Sequence, residues 1–524
     1  MSTPAYRFGA PRRSTAQLLQ PYRRLSQPQS LPPPIGGWNM RDALPSMAPT
    51  DALRLDNWIP DTASVKLRKG FAAWATTTAN PIESLFEYAS LAGNNRLIAA
   101  TPTQLFDVTA QGAGSAMATG AITSGRWEDA QLTTTAGSFL YIVNGADTPR
   151  YYDGSAWTPS GFTGSGLSLT NLSNVIVHMN RLWFVEKNTL NAWYGPVAGI
   201  SGTLTKFLPP FRLGGSLLAM ASWSRDGGSG PDDFLVMVSN KGEAVIYAGV
   251  DPSSATTSAL VGVFKLPEPI GTRCFLKIGS DLGLLTSQGV VPFSSVLGQS
   301  QSGAGQSAIS NKIVGAFKQS YISFGTRFGW QLIEYPKQNL LICNVPVAER
   351  VTQNQYVMNT NTGAWCRFTG INAGCWQLLR DVLYFGGNDG TVYQYDTDYV
   401  DLNVPIVATL QTAYSTFGTP ANKHFVMARP LFLSAPSYVP QVYIRTDYDQ
   451  AQPAMEVVAQ PDIGSPWDTS PWDTSPWGTT QVPSLPWQTV QGIGMAGSIA
   501  FAVSASSEVV FNGVDVLFTT GGML

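Results

Sequence analysis

Apolar and polar positions alternate along this chain in short pieces. Residues 139–157, FLYIVNGADTPRYYDGSAW, run an apolar strand into a glycine turn and out through an aromatic strand ending in Tyr-Asp. Residues 382–398, VLYFGGNDGTVYQYDTD, do the same, with Tyr384 and Tyr395 at the offset of Tyr141 and Tyr152. Looser versions begin at Arg96, Arg181, Phe234, Leu282 and Asn339. Each is two strand-like runs joined by a short polar turn, the pattern of a β-hairpin. A further strand precedes most of them, as in CFLKIGSD before Leu282, WQLIEYPKQ before Asn339 and CWQLLRD before Val382. The turns recur at roughly 45 to 50 residues, the period of propeller repeats. Radial stacking of such meanders leaves only short, protected edges. The expected fold is all-β: a β-propeller of six or seven blades.

Two flanks lack the repeat. Residues 1–50 hold Arg7, Arg12, Arg13, Arg23 and Arg24, many prolines and no acid before Asp42, so an extended basic arm is expected there. The propeller is assigned to 51–404. Residues 405–524 carry strand-like runs and are assigned to a smaller C-terminal β domain, in which Asn512-Gly513 is read as a turn between two final strands.

Composition fits this class. Only 13% of the 524 residues are charged, the net charge is −2, and the chain contains 51 Gly, 36 Pro and 15 Trp in place of a helix-building repertoire. No run approaches the roughly 18 apolar residues of a membrane span, so no stable membrane insertion is expected. No apolar stretch comes after Met1 as in a secretory signal, and the expectation is cytoplasmic synthesis. Cys274, Cys343, Cys366 and Cys375 are widely spread and read as buried free thiols. With His178 and His424 the only histidines, a histidine-based metal cluster is ruled out and a Ser-His-Asp triad is disfavoured.

Other motifs are weak. Gly492, Gly494 and Gly497 spell G-x-G-x-x-G, but the residues after Gly497 are strand-like, whereas a dinucleotide site needs a helix there. Asp153 and Asp396 come after aromatic strands at equivalent repeat positions, which suggests chain turning rather than chemistry. Residues 359–365, NTNTGAW, have Asn361 where the aspartate box of sialidases has aspartate. No catalytic, cofactor-binding or metal-binding residue is assigned. The arginine-rich arm could contact phosphates or serve as a transit segment. An arm threaded across a neighbouring subunit is favoured over both.

Residues 32–71, PPPIGGWNMRDALPSMAPTDALRLDNWIPDTASVKLRKGF, carry a more specific texture: Gly36, Gly37 and Asn39, then Asp51, Ala52, Leu55, Asn57, Trp58 and Pro60, then Arg68, Gly70 and Phe71. This resembles the opening of tail proteins of short-tailed bacteriophages. The Trp-Asp units of 465–479, SPWDTSPWDTSPWGT, with Trp487, the 492–497 turn and a final GVDVLFTTGG after them, resemble their C-terminal part. The resemblance is to the tail nozzle family, also called tail tubular protein B or tail hub. It implies a virion structural protein and not an enzyme, assembled in the host cytoplasm as a ring, commonly a hexamer, below the portal and adaptor. DNA would be retained in and ejected through the ring axis without sequence-specific binding, and tail fibres or spikes would dock around it.

A near-neutral chain suits a conduit that DNA must slide through. The rival readings are a propeller-type glycan-binding receptor protein, with aromatic rings stacking on sugars, and a propeller hydrolase with a central acid cluster. The glycine-rich segments 227–233 and 298–307 are candidate gate or contact loops. In the tryptophan repeat each proline favours extended backbone, and a period of five turns successive indoles to opposite faces. Contacts with partners or neighbouring subunits are therefore assigned to Arg12, Arg13, Arg23, Arg24, Trp467, Trp472 and Trp477.

Overall fold

A computed structural model describes residues 28–226, 231–249, 251–254, 258–297, 308–435, 438, 440–449, 457–459 and 481–521. The chain is all-β. Seven antiparallel meanders succeed one another, and each contains one of the seven hairpins expected from the sequence. Blades 1 to 4 open with the strands Ser84–Tyr88, Glu128–Thr134, Leu172–His178 and Leu217–Asp226. Blades 5 to 7 open with Phe275–Ile278, Gln331–Tyr335 and Ala373–Leu379. The first five blades are separate sheets, while blades 6 and 7 lie in one sixteen-stranded, nearly closed sheet. The opening strands pack side by side around a central bore, the last against the first.

Strand alternation explains the assembly, because successive residues face opposite neighbours. In blade 1, Leu97 and Ala99 join the core shared with blade 7, while Ile98 and Ala100 join the core shared with blade 2. In blade 2, Leu140 and Ile142 face backward, and Tyr141 and Val143 face forward to blade 3. In blade 3, Leu182 and Phe184 meet blade 2, whereas Trp183 and Val185 meet blade 4. Both faces are buried, so the strands read as continuous apolar runs. Each fully buried Leu, Ile, Val or Phe among them contributes about 1.5–3 kcal/mol.

The ring closes through a distant strand. Blade 7 supplies Ala373–Leu379, Val382–Gly387 and Thr391–Tyr395, and takes its fourth strand, Phe71–Thr76, from near the start of the chain. Blade 5 has three strands, and a helix after it, Val314–Phe324, packs on blades 5 and 6. Its buried Ala316, Phe317 and Ser320 recur at helical spacing, and the Phe317 ring meets Tyr356 at 5.2 Å and Trp365 at 6.1 Å.

A second β layer sits on the outer edges of blades 6 and 7. Val404–Thr412 pairs with Asp51–Asp56 and Gly497–Ala505, and Lys423–Ser434 pairs with Val509–Thr520. The two sheets meet at Phe432, Phe501 and Phe511, whose ring centroids lie 4.9 to 5.2 Å apart. Pairing crosses the boundaries drawn from sequence. Residues 51–67, assigned to the propeller, pair mainly with C-terminal strands, and within the arm assigned to 1–50, Gln29–Leu31 pairs with Val514–Val516.

The expected turn at Asn512-Gly513 is not one. Val509–Thr520 is a continuous strand through both residues. Gly513 has φ +130°, and a Cβ there would lie 2.8 Å from the Leu31 carbonyl oxygen. The glycine lets the Gln29–Leu31 strand approach closely.

Candidate functional site

Two polar assemblies stand out: the bore of the propeller and the brace joining it to the second layer. The bore is a cavity of about 220 Å³ lined by residues at or beside the opening strand of every blade. Three of its walls repeat one local pattern, a buried tryptophan with a polar residue after it: Trp127-Glu128, Trp330-Gln331 and Trp376-Gln377. Alternation buries the indole between blades and turns the next side chain the other way. The repeated WQL of 330–332 and 376–378 was a legible signal for this lining.

The charges are mostly paired. The Arg273 guanidinium donates to Ser84 Oγ at 2.6 Å and to the Trp127 carbonyl at 2.8 Å, and lies 3.4 Å from Glu128 Oε1. Thr272 Oγ1 donates to the same carboxylate at 2.6 Å. Burial pushes the Glu128 carboxyl above its ordinary value, against the pull of Arg273. Glu83 accepts from Arg126 at 3.1 Å and from Arg350 at 2.7 Å, and Arg126 also pairs with Glu349. The Phe328 ring lies beneath both Arg126, at 4.6 Å, and Arg273, at 5.0 Å.

Asp129 differs. It is open to water in the bore although protein surrounds it. Enclosure, and then the neighbouring Glu128 charge, push its carboxyl up to about 7. It can therefore give or take a proton near neutrality. Glu128, which also lines the bore, is already held by Thr272 and Arg273. Among the described residues, no group of three or more His, Cys, Asp or Glu side chains could hold a metal ion. His178 is buried, which lowers it to about 4, and its Nδ1 meets Ser222 Oγ at 3.0 Å.

The brace collects the residues of the 32–71 texture. Arg68 is fully buried and forms a two-pronged pair with Asp401 at 2.8 and 2.6 Å. It also donates to Asn57 Oδ1 at 2.9 Å and to the Thr369 carbonyl at 3.1 Å. Asn57, at φ 62°, donates in turn to Thr369 Oγ1 and to the Val407 carbonyl. Three regions thus meet on one side chain: the N-terminal segment, blade 6 and the second layer.

Asp56 accepts from Arg367 at 2.7 and 2.8 Å, from Arg54 at 2.5 Å and from Thr409 at 3.0 Å. Burial opposes its charge, but Arg367 and Arg54 hold its carboxyl below the usual value. Asp51 binds Asn39 and Lys312, each at 2.8 Å. A Cβ on Gly70 would lie 1.9 Å from the Val400 carbonyl oxygen, and one on Gly37 would lie 2.6 Å from that of Trp365. The texture is a set of buried fasteners.

Arg12, Arg13, Arg23, Arg24, Trp467, Trp472 and Trp477 lie outside the described residues, as do 227–230 and 298–307 of the glycine-rich loops. The G-x-G-x-x-G stretch joins Gln488–Gly494 to Gly497–Ala505, strand to strand, so no helix N-terminus faces it. Asp153 caps its own turn by accepting from the backbone of Ser155 and Ala156, each at 2.8 Å. Asp396, at φ 65°, accepts from Tyr335 Oη at 2.7 Å. Cys274, Cys343, Cys366 and Cys375 are buried free thiols. No described helix is long and apolar enough to cross a membrane.

No protein-family profile and no curated protein matches the sequence. Solved structures that align with the chain include the WD40 β-propeller domain of Doa1, at 7% identity and a TM-score of 0.35 over 66% of this chain and 98% of that one. BamB from Moraxella catarrhalis aligns at 9% identity and 0.33 over 67% and 97%. An exo-β-1,3-galactanase from Phanerochaete chrysosporium aligns at 10% identity and 0.25 over 86% and 100%.

Proposed function

We propose that this chain is a structural subunit of a phage tail. Copies form a ring below the portal and adaptor, and DNA is held in and ejected through the ring axis. The observation that carries the reading is the brace. Asn57, Trp58, Arg68, Gly70 and Phe71, which bear the resemblance to tail nozzle proteins, are all buried where the propeller meets the second layer. The opening and closing segments of that resemblance also lie side by side, with Gln29–Leu31 on Val514–Val516. Residues that build such a junction serve shape, which is what a ring subunit needs.

Two further features support it. The bore of about 220 Å³ is far too small for a duplex whose major groove alone is about 12 Å wide, so DNA would pass between copies and not through a propeller. Among the described residues every Trp, Tyr and Phe is at least partly buried, so none presents a fully open face to a sugar. Adaptor, fibres or spikes would be partners of the assembled ring.

Cryo-electron microscopy of the purified full chain tests this. A closed ring with an axial opening wide enough for duplex DNA is expected. A dispersed monomer that binds glycans on an array would replace the reading with a receptor-binding propeller.

A further inference from the structure

Blade 4 leaves its outer edge open. The outer strands of blades 1, 2 and 3, Ser115–Met117, Trp157–Pro159 and Thr205–Phe207, have three residues each. The edges of blades 6 and 7 are paired with second-layer strands. In blade 4 the outer strand is Ser258–Lys265, eight residues reading SALVGVFK. It pairs with Glu243–Gly249 on one side, and no described strand pairs with the other. Leu260 and Val261 are 45% and 46% exposed. A long, apolar, open edge is a template for another strand, and folded proteins normally cover or blunt one.

We infer that this edge receives the N-terminal arm of a second copy of this chain, with residues 12–20 added as a fifth strand. The inference deepens the ring reading above by naming the contact between copies. A strand inside a sheet needs its N–H groups, and proline has none. Between Pro11 and Pro21 lie nine residues without proline, RRSTAQLLQ, the longest such run within residues 1–27 and long enough for the eight-residue edge.

Reach selects a neighbour's edge. The described chain begins beside Gln29, which is anchored on Val516 outside blades 6 and 7. The nine residues from Gln20 to Gln29 span at most about 30 Å. Four strands at about 4.8 Å put each outer edge roughly 20 Å from the axis, so edges across the ring lie roughly 40 Å apart. Anchor and open edge are thus separated by two to three blades, at or beyond the reach of the linking residues, and a neighbour's edge makes a head-to-tail contact, which closes into a ring when its rotation does.

The test is oxidation of the full chain carrying Ala16→Cys and Val261→Cys, because residues 12–20 laid antiparallel on 258–265 bring position 16 opposite 261. The four native thiols are buried and do not compete. Covalent dimers and higher species are expected, absent from either single variant. A disulfide at monomer mass would mean that the arm folds back on its own copy, and no disulfide would mean that the arm lies elsewhere. Either result overturns the inference, and a ring still seen by microscopy would leave the ring reading intact. Disulfide-linked dimers without any ring would keep the contact and end the ring reading. Val261 is the residue skipped by the register shift in blade 4, so Val261→Pro spares the pairing with Glu243–Gly249. It should cause loss of the oligomer by light scattering with the far-UV circular dichroism unchanged. An unaltered oligomer mass overturns the proposal.

Discussion

Replacing Arg68 with methionine probes the brace most directly. The side chain is fully buried, and its loss strands the Asp401 carboxylate, whose own side chain is 19% exposed, and removes donors from the Thr369 carbonyl and from Asn57 Oδ1, which keeps the Thr369 N–H. Breaking one partner of a buried pair costs about 3–5 kcal/mol, mostly because the remaining charge is left uncompensated. If the whole chain unfolds as one unit, an unfolding entropy of about 2.1 cal/mol/K per residue totals roughly 1.1 kcal/mol/K, and a loss of about 4 kcal/mol lowers Tm by roughly 4 °C. If the second layer unfolds separately, as a unit of roughly 150 residues, the same loss lowers its own transition by roughly 12 °C. Differential scanning calorimetry separates the two cases by the number of transitions. Arg68→Lys should recover only part of the loss, because an ammonium cannot make the two-pronged contact. Asp401→Asn combined with Arg68→Met should cost less than the sum of the single changes. An Arg68→Met protein within 1 °C of wild type (roughly 1 kcal/mol on this scale), or strict additivity in the cycle, would refute the brace.

Other outcomes rest on the same geometry. The Asp129 carboxyl is raised to about 7 in the folded chain, above the ordinary aspartate value of about 4, so its charge opposes folding above pH 7 and the penalty disappears as pH falls toward 4. Asp129→Asn should thus raise Tm at pH 8 and leave it unchanged at pH 4, and a pH-independent shift would contradict this. Asp56 is held below its ordinary value, so the stability it contributes is present above about pH 4 and lost as pH falls through its folded value. Replacing it with Asn should destabilise at pH 7 and do less at pH 2.5, as read by thermal melts. Gly513→Ala meets both a φ of +130° and a 2.8 Å approach to the Leu31 carbonyl, and should cost more than about 1 kcal/mol by urea denaturation. A thiol reagent should label no cysteine in the native protein and four after unfolding, since burial raises all four thiols above their ordinary value.

What the sequence determined by itself is local. A strand buried on both faces needs apolar residues at every position, and a tight turn needs Gly, Asn or Asp. RLIAATPTQLFDV or VLYFGGNDGTVYQY therefore declares a hairpin without its neighbours, and the even recurrence of such hairpins declares a propeller. The WQL repeat also placed a polar residue after each buried tryptophan, a signal for the bore that its spacing made readable. Closure of the ring by Phe71–Thr76 had no local mark, because a strand's pattern states which faces are buried but not which partner lies beside it. Asn512-Gly513 misled for the converse reason. The dipeptide favours a turn, but pairing on both sides of it holds the backbone extended, and the glycine serves the approach of Leu31. Asn57, Arg68 and Gly70 were visible as a texture, whereas Asp401 and Val400, far along the chain, supplied the reason for it. Distant pairs of this kind are decided by the packing of whole sheets, where a buried charge or a missing Cβ acquires its partner.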